Sequence, residues 1–191
     1  MKKITETKNI ASNNLDELSI YDILYLINKE DATIHHQIFK VLPLIENLIK
    51  SVIYSFKKGG RLFYVGCGSS GRLGILDAAE CPPTFSTKHS LVQGIIAGGK
   101  KALYKSVEKA EDEIHEIKHI IRQKIKDNDI IIGLSASGTA KFVLSALSEA
   151  NKMNVKTGLI TCNNTKKMPY VNHLIKVIIG PEIITGSTRM K

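Results

Sequence analysis

Two short stretches gather the residue types that hold an anion. Gly66-Cys67-Gly68-Ser69-Ser70-Gly71-Arg72 follows the apolar run RLFYV, and Ser135-Ala136-Ser137-Gly138-Thr139 follows Ile130 to Leu134. Glycine lets the backbone come close to a ligand, while hydroxyls and a guanidinium donate hydrogen bonds to phosphate oxygens. Gly68, Ser69, Ser70, Gly71 and Arg72 in the first stretch, and Ser135, Ser137, Gly138 and Thr139 in the second, are therefore candidate phosphate-binding residues. Either stretch alone reads as an ordinary helix cap or tight turn. Two at neighbouring strand ends are expected to serve one anion site.

Carboxylates supply the other half of the chemistry. Glu80 lies in Asp77-Ala78-Ala79-Glu80-Cys81-Pro82-Pro83-Thr84-Phe85, where the paired prolines fix the chain direction and where a carboxylate at a helix end opposes the macrodipole. Glu111 flanks an apolar stripe, among Glu108, Asp112 and Glu113. Read as bare residues, both are ordinary solvated acids.

Two formal motif matches lead elsewhere. Residues 66–71 spell G-x-G-x-x-G, but a dinucleotide site needs an acid closing the next strand, and this chain has Ala97-Gly98-Gly99-Lys100 there. His115-Glu116-Ile117-Lys118-His119 spells H-E-x-x-H, yet Ile117 belongs to the apolar stripe and no third ligand follows closely. It reads as an exposed histidine pair.

The elements that must position these residues follow from periodicity. Apolar residues recur at helical spacing from Leu15 to Ile27, and again at ten positions from Ile34 to Phe56, ahead of Lys57-Lys58-Gly59-Gly60, a helix end with a left-handed exit. Beyond it, strands are expected at Arg61 to Val65, Leu91 to Ile96, Ile130 to Leu134, Val155 to Thr161 and Leu174 to Ile179. Helices are expected at Arg72 to Ala79, Lys101 to Lys126 and Ala140 to Lys152. Strands apolar at consecutive positions and alternating with helices imply a parallel sheet covered on both faces. The fold class is α/β, a doubly wound parallel sheet in three layers, with residues 1–57 a helical segment and residues 58–191 the ligand-binding domain.

The 191 residues include 27 Lys plus Arg against 18 Asp plus Glu, a net charge of +9 that favours an anionic partner. Nothing marks nucleic acid: there is neither an aromatic sheet signature nor a basic recognition helix. No apolar run approaches the roughly 20 residues of a membrane span. Cys67, Cys81 and Cys162 form no C-x-x-C, which fits a reducing cytoplasm. The ten-residue stripe of the second helix exceeds what one sheet face needs and leads to the expectation of a homodimer.

Taken together, residues 66–74, 77–85, 93–99, 108–112 and Gly180-Pro181-Glu182-Ile183-Ile184-Thr185-Gly186-Ser187-Thr188-Arg189-Met190-Lys191 resemble the N-acetylmuramic acid 6-phosphate etherases, a sugar-isomerase (SIS) domain family. The resemblance begins at Thr5-Glu6-Thr7-Lys8-Asn9 and covers essentially the whole chain. The related animal glucokinase regulator shares parts of the pattern and is a binding protein. The resemblance implies an SIS-type fold and cleavage of a lactyl ether by elimination and hydration, with a sugar phosphate as the small-molecule partner and no cofactor or metal. It implies Glu80 as proton donor, Glu111 as the second active-site glutamate, and Ser69, Ser70, Ser135, Ser137 and Thr139 in the sugar-phosphate loops. The runner-up is a sugar-phosphate-binding regulator with the same pocket and no turnover; a sugar-phosphate isomerase comes third.

Three departures stand out. The family's Arg-Asn-Pro appears as Lys8-Asn9-Ile10, and its Ser-Gly-Arg-Thr-Pro as Ser137-Gly138-Thr139-Ala140-Lys141. Members also continue past the Thr-Arg-Met-Lys motif at which this chain stops, and the expectation is a shortened product with impaired activity.

Overall fold

The computed structural model describes residues 4–108 and 110–186. Its centre is a sheet of five parallel strands in the order β2-β1-β3-β4-β5: β1 (Leu62–Gly66), β2 (Val92–Ile96), β3 (Ile130–Leu134), β4 (Lys156–Thr161) and β5 (His173–Lys176). The chain first adds β2 on one side of β1 and then builds outward from the other, so the order reverses at β1. Gly66 pairs in register with Leu134. The loops leaving β1 and β3 therefore emerge side by side, where the carboxyl ends of a doubly wound sheet leave a crevice.

Alternation along the strands sends side chains to two cores. Phe63, Val65, Ile131 and Leu159 pack with Ile117 and Ile121 of α5 (Ile114–Lys124) and Phe142, Val143, Ala146 and Leu147 of α6 (Lys141–Lys152). On the other face Leu62, Val92, Ile130, Ile132 and Ile175 meet Leu48 of α2 (Ile34–Lys57) and Ala78 of α3 (Gly68–Phe85). Both faces are covered, as consecutive apolar strand positions require. A solvent-facing stripe nevertheless remains on α2, with Phe39, Leu42, Ile49 and Ile53 exposed.

Several expected boundaries move. The first helix is split: Leu15–Glu17 is a 3-10 turn, and α1 runs from Ile20 to Asp31. Ser19 caps α1, its Oγ accepting the Asp22 amide at 3.2 Å while it donates to the Asp22 carboxylate. That local bond outcompetes the apolar spacing around it. The α2 exit matches expectation, with Gly59 at φ +76. Of β5, only His173–Lys176 is regular strand.

The single helix expected over Lys101 to Lys126 is broken into α4 (Lys101–Tyr104), a 3-10 turn at Ala110–Asp112, and α5. Leu103, Val107, Ala110 and Ile114 do keep helical spacing. Tertiary contacts instead recruit them one by one: Val107 packs on Gly98, and Ala110 is 5% exposed within the α5/α6 core. Helix α3 errs the other way, starting at Gly68 and running through Pro82 and Pro83 to Phe85, where Ser86 exits at φ +54. The prolines cost the amides that would bond the Ala78 and Ala79 carbonyls, but their fixed φ suits a helix and only one turn remains to be built. Glu80 thus stands in the body of α3, short of the helix end at Phe85.

Candidate functional site

A cleft of about 800 Å³ opens at the carboxyl edge of the sheet, over the β1/β3 switch point. Its floor is the start of α3, with Cys67, Gly68, Ser69, Ser70 and Arg72. One wall is the β3–α6 loop, with Ser135, Ser137 and Thr139, and the opposite wall is the segment after α4, with Ser106, Val107, Glu108, Glu111 and Asp112. The crossover segment between α4 and α5 is where the sequence pattern misleads, and it carries Glu111 to the ligand side.

The expected phosphate loop after β1 is the first turn of a helix. Gly68 takes φ +54 and opens α3, so Ser69 and Ser70 stand in the first turn of the helix, and the Gly71 amide closes that turn on the Cys67 carbonyl at 3.3 Å. Gly71 is pressed on Gly66: a Cβ at Gly71 would lie 2.7 Å from the Gly66 carbonyl oxygen and 2.6 Å from Ile96 Cγ1.

The β3–α6 loop is organised by its own hydroxyls. Ser135 Oγ accepts the Gly138 amide at 3.1 Å, Ser137 Oγ accepts the Thr139 amide at 3.2 Å, and the Ser137 and Thr139 hydroxyls are 3.1 Å apart. Behind it the Ala136 carbonyl accepts from Cys162 N, Thr161 Oγ1 and Asn163 Nδ2 at 3.0–3.1 Å. Ser135 is buried, whereas Thr139 faces solvent.

Arg72 lines the cleft, but its guanidinium braces the opposite wall. Its Nε donates to the Ala102 carbonyl at 2.9 Å and its Nη2 to the Lys105 carbonyl at 3.3 Å. At the far end of that wall Lys141, the first residue of α6, pairs with Asp112 at 2.9 Å. The departure Ser137-Gly138-Thr139-Ala140-Lys141 therefore sets a lysine at the cleft rim, held against the neighbour of Glu111.

The two glutamates are not together. Glu111 is exposed to the cleft and close enough to Cys67 that its charge adds to burial in pushing the Cys67 thiol up to about 12. Cys67 is thus a protonated wall of the site. Glu80 is exposed on α3 and does not line the cleft.

Other residues at the site carry only a weak signal in sequence. Thr5 and Glu6 line the cleft from the amino-terminal segment. Thr5 is 5% exposed; its amide donates to Asn163 Oδ1 at 3.3 Å and its hydroxyl accepts from Asn163 Nδ2 at 2.8 Å. Asn9, also buried, reaches Glu30 and the Pro181 carbonyl. Neither asparagine pairing is readable from local pattern, since each joins positions more than 150 residues apart or spans separate elements; only the resemblance at residues 5–9 points there. Residues 187–191 of the closing motif, and Lys109, lie outside the described residues.

The zinc-like pattern dissolves in three dimensions, since His115 and His119 face solvent while Ile117 is fully buried. Among the described residues no three His, Cys, Asp or Glu side chains converge as a metal site, and no helix is long and apolar enough to cross a membrane.

Sheet order, switch-point cleft and hydroxyl-lined turns define a protein of the sugar-isomerase (SIS) class. The profile for the glucokinase regulatory protein N-terminal SIS domain matches residues 44–151. A phosphoheptose isomerase from Neisseria gonorrhoeae has the same fold, with a TM-score of 0.60 at 14% identity over 83% of this chain and 87% of its own. In sequence, an N-acetylmuramic acid 6-phosphate etherase from Clostridium botulinum is 47% identical over 189 residues, 98% of this chain and 63% of the relative. One from Christiangramia forsetii is 42% identical over 193 residues, all of this chain and 70% of the relative. The chain belongs to the N-acetylmuramic acid 6-phosphate etherase family. It spans less than two thirds of the length of the first of these two relatives.

Proposed function

We propose that the protein cleaves the D-lactyl ether of N-acetylmuramic acid 6-phosphate, giving N-acetylglucosamine 6-phosphate and D-lactate in amino-sugar catabolism. The observation that carries the reading is Glu111 facing two hydroxyl-rich turns across a cleft at the sheet's switch point. In the open-chain sugar the C2 hydrogen is acidic because it is α to the aldehyde. A carboxylate removes that proton, the C2–H electrons form the C2–C3 double bond, and the C3–O bond breaks toward the lactyl oxygen. An acid must protonate that oxygen, because an alkoxide leaves poorly. Water then adds across the double bond, its oxygen at C3 and a proton at C2.

Position supports the roles of the cleft-lining residues, and the family motif alone supports that of Glu80. The α3 start (Gly68, Ser69, Ser70, Gly71) and the β3–α6 loop (Ser135, Ser137, Gly138, Thr139) bind the 6-phosphate; Arg72 serves by holding the α4 segment. Glu111 acts as base or as activator of the added water, and Glu80 as proton donor. The partner is a small sugar phosphate rather than nucleic acid, in keeping with the excess positive charge. Residues 58–191 are the sugar-phosphate-binding domain and residues 1–57 a helical segment laid against it; the protein works in the cytoplasm as a homodimer.

Incubation with N-acetylmuramic acid 6-phosphate and assay of D-lactate tests this directly. Release of D-lactate is expected. Tight sugar-phosphate binding with no lactate would replace the etherase by a non-catalytic sensor.

A further inference from the structure

Lys141 stands where a helix disfavours it. It is the first residue of α6, and the positive end of the helix dipole repels a cation there. Its ammonium is drawn instead across the cleft: Nζ lies 2.9 Å from Asp112 Oδ1, on the wall that carries Glu111. The two side chains are 64% and 54% exposed, so the pair is a weak surface contact that another carboxylate can replace. The family's Ser-Gly-Arg-Thr-Pro has its cation at the third position. Here that residue is Thr139, and the cation comes two residues later, at Lys141.

The charges around the cleft give that lysine a task. Among the described residues that line it, Glu6, Glu108, Glu111 and Asp112 are acidic, while Arg72 and Lys141 are basic. Arg72 directs its guanidinium to the Ala102 and Lys105 carbonyls. The sugar of the proposed reaction brings two anionic groups, the 6-phosphate and the carboxylate of the lactyl ether. The hydroxyl-rich turns suit the first. The second hangs from C3 through the ether oxygen, next to the C2 whose proton Glu111 removes. It therefore falls on the acidic wall, where like charges repel it unless a cation stands between them.

We propose that Lys141 exchanges Asp112 for the lactyl carboxylate and so selects sugar phosphates that carry an acidic ether at C3. One ion pair replaces another, and the Asp112 carboxylate turns to water. With the turns holding the phosphate and Lys141 the lactyl group, the sugar is held at both ends and the C3–O bond is fixed in place between them.

This inference rests on the etherase reading for placing C2 beside Glu111, and binding measurements separate the two. Calorimetry compares N-acetylmuramic acid 6-phosphate with N-acetylglucosamine 6-phosphate, which lacks the lactyl group, on Glu111→Gln protein so that the first sugar persists. Adding Lys141→Met is expected to weaken binding of the lactyl sugar about tenfold, the scale of one hydrogen bond to a charged group, and to leave the other sugar unchanged. Lys141→Arg, which keeps the charge, should retain most of the affinity. Asp112→Asn, which removes the competing carboxylate, should tighten the lactyl sugar alone. Equal weakening of both sugars by Lys141→Met would assign the lysine to the phosphate and overturn the inference, as would no weakening of either. A selective loss in a protein whose wild type releases no D-lactate would sink the etherase reading and leave Lys141 as the partner of the carboxylate. Release of D-lactate by the wild type without that selective loss does the reverse.

Discussion

In the proposed reaction Glu111 and Glu80 carry different parts, and substitutions should separate them. Glu80→Gln and Glu111→Gln are each expected to lower D-lactate release by about 10²-fold or more, the usual contribution of one general acid or base. Glu80→Gln should still exchange the C2 hydrogen with solvent deuterium, followed by NMR, because proton removal precedes loss of the lactyl group. Full activity in either variant removes that residue from the mechanism. A third carboxylate matters to the fold alone. Glu149 is 4% exposed on α6, and its Oε1 lies 2.6 Å from Arg122 Nε, a bond that holds its carboxyl below the ordinary 4.5. A folded-state value below the unfolded one stabilises above the ordinary value, and the gain is lost as pH falls through the lowered one. Urea midpoints at pH 7 and pH 3 should therefore differ less in Glu149→Gln than in the wild type.

At the scale of elements, the proposed function gives the turns at the sheet's carboxyl edge the choice of ligand. Their hydroxyls and the positive end of the α3 dipole suit a phosphate dianion, so calorimetry should show N-acetylglucosamine 6-phosphate binding far more tightly than N-acetylglucosamine. Equal binding of the two would refute an anion site. The β3–α6 turn depends on Gly138, which holds φ +69, where a Cβ would also collide with the Thr161 and Thr165 hydroxyls. Gly138→Ala should cost at least the roughly 1–2 kcal/mol of a left-handed backbone and weaken sugar-phosphate binding. An unchanged melting temperature and affinity would mean that the loop relaxes freely. The strands and α6 were legible because buried parallel strands and amphipathic helices announce themselves by period. The break at residues 105–113 was not. A stripe such as Leu103, Val107, Ala110 looks the same whether one helix uses it or a folded-over segment spends it on separate neighbours.

For the whole molecule the expected state is a homodimer. Light scattering at micromolar concentration should give twice the 21.1 kDa chain mass, and Ile49→Asp with Ile53→Asp, on the exposed stripe of α2, should shift it to the monomer. A monomeric wild type would contradict the dimer.

Local chemistry by itself determined much here: the parallel α/β class, both hydroxyl-rich turns, the α2 exit at Gly59, and the presence of two glutamates in motifs resembling the etherases. Each is written within a few consecutive residues, in composition, period or turn type. What lay beyond that range was decided only by tertiary structure. Register between Gly66 and Leu134 turned two distant loops into one cleft, Asn163 tied Thr5 to its rim, and Lys141 reached Asp112 across it. The unbroken run of α3 from Gly68 carried Glu80 away from the site that its motif implied it shares. Side-chain direction and distance depend on packing between segments far apart in the chain, and no local pattern encodes them.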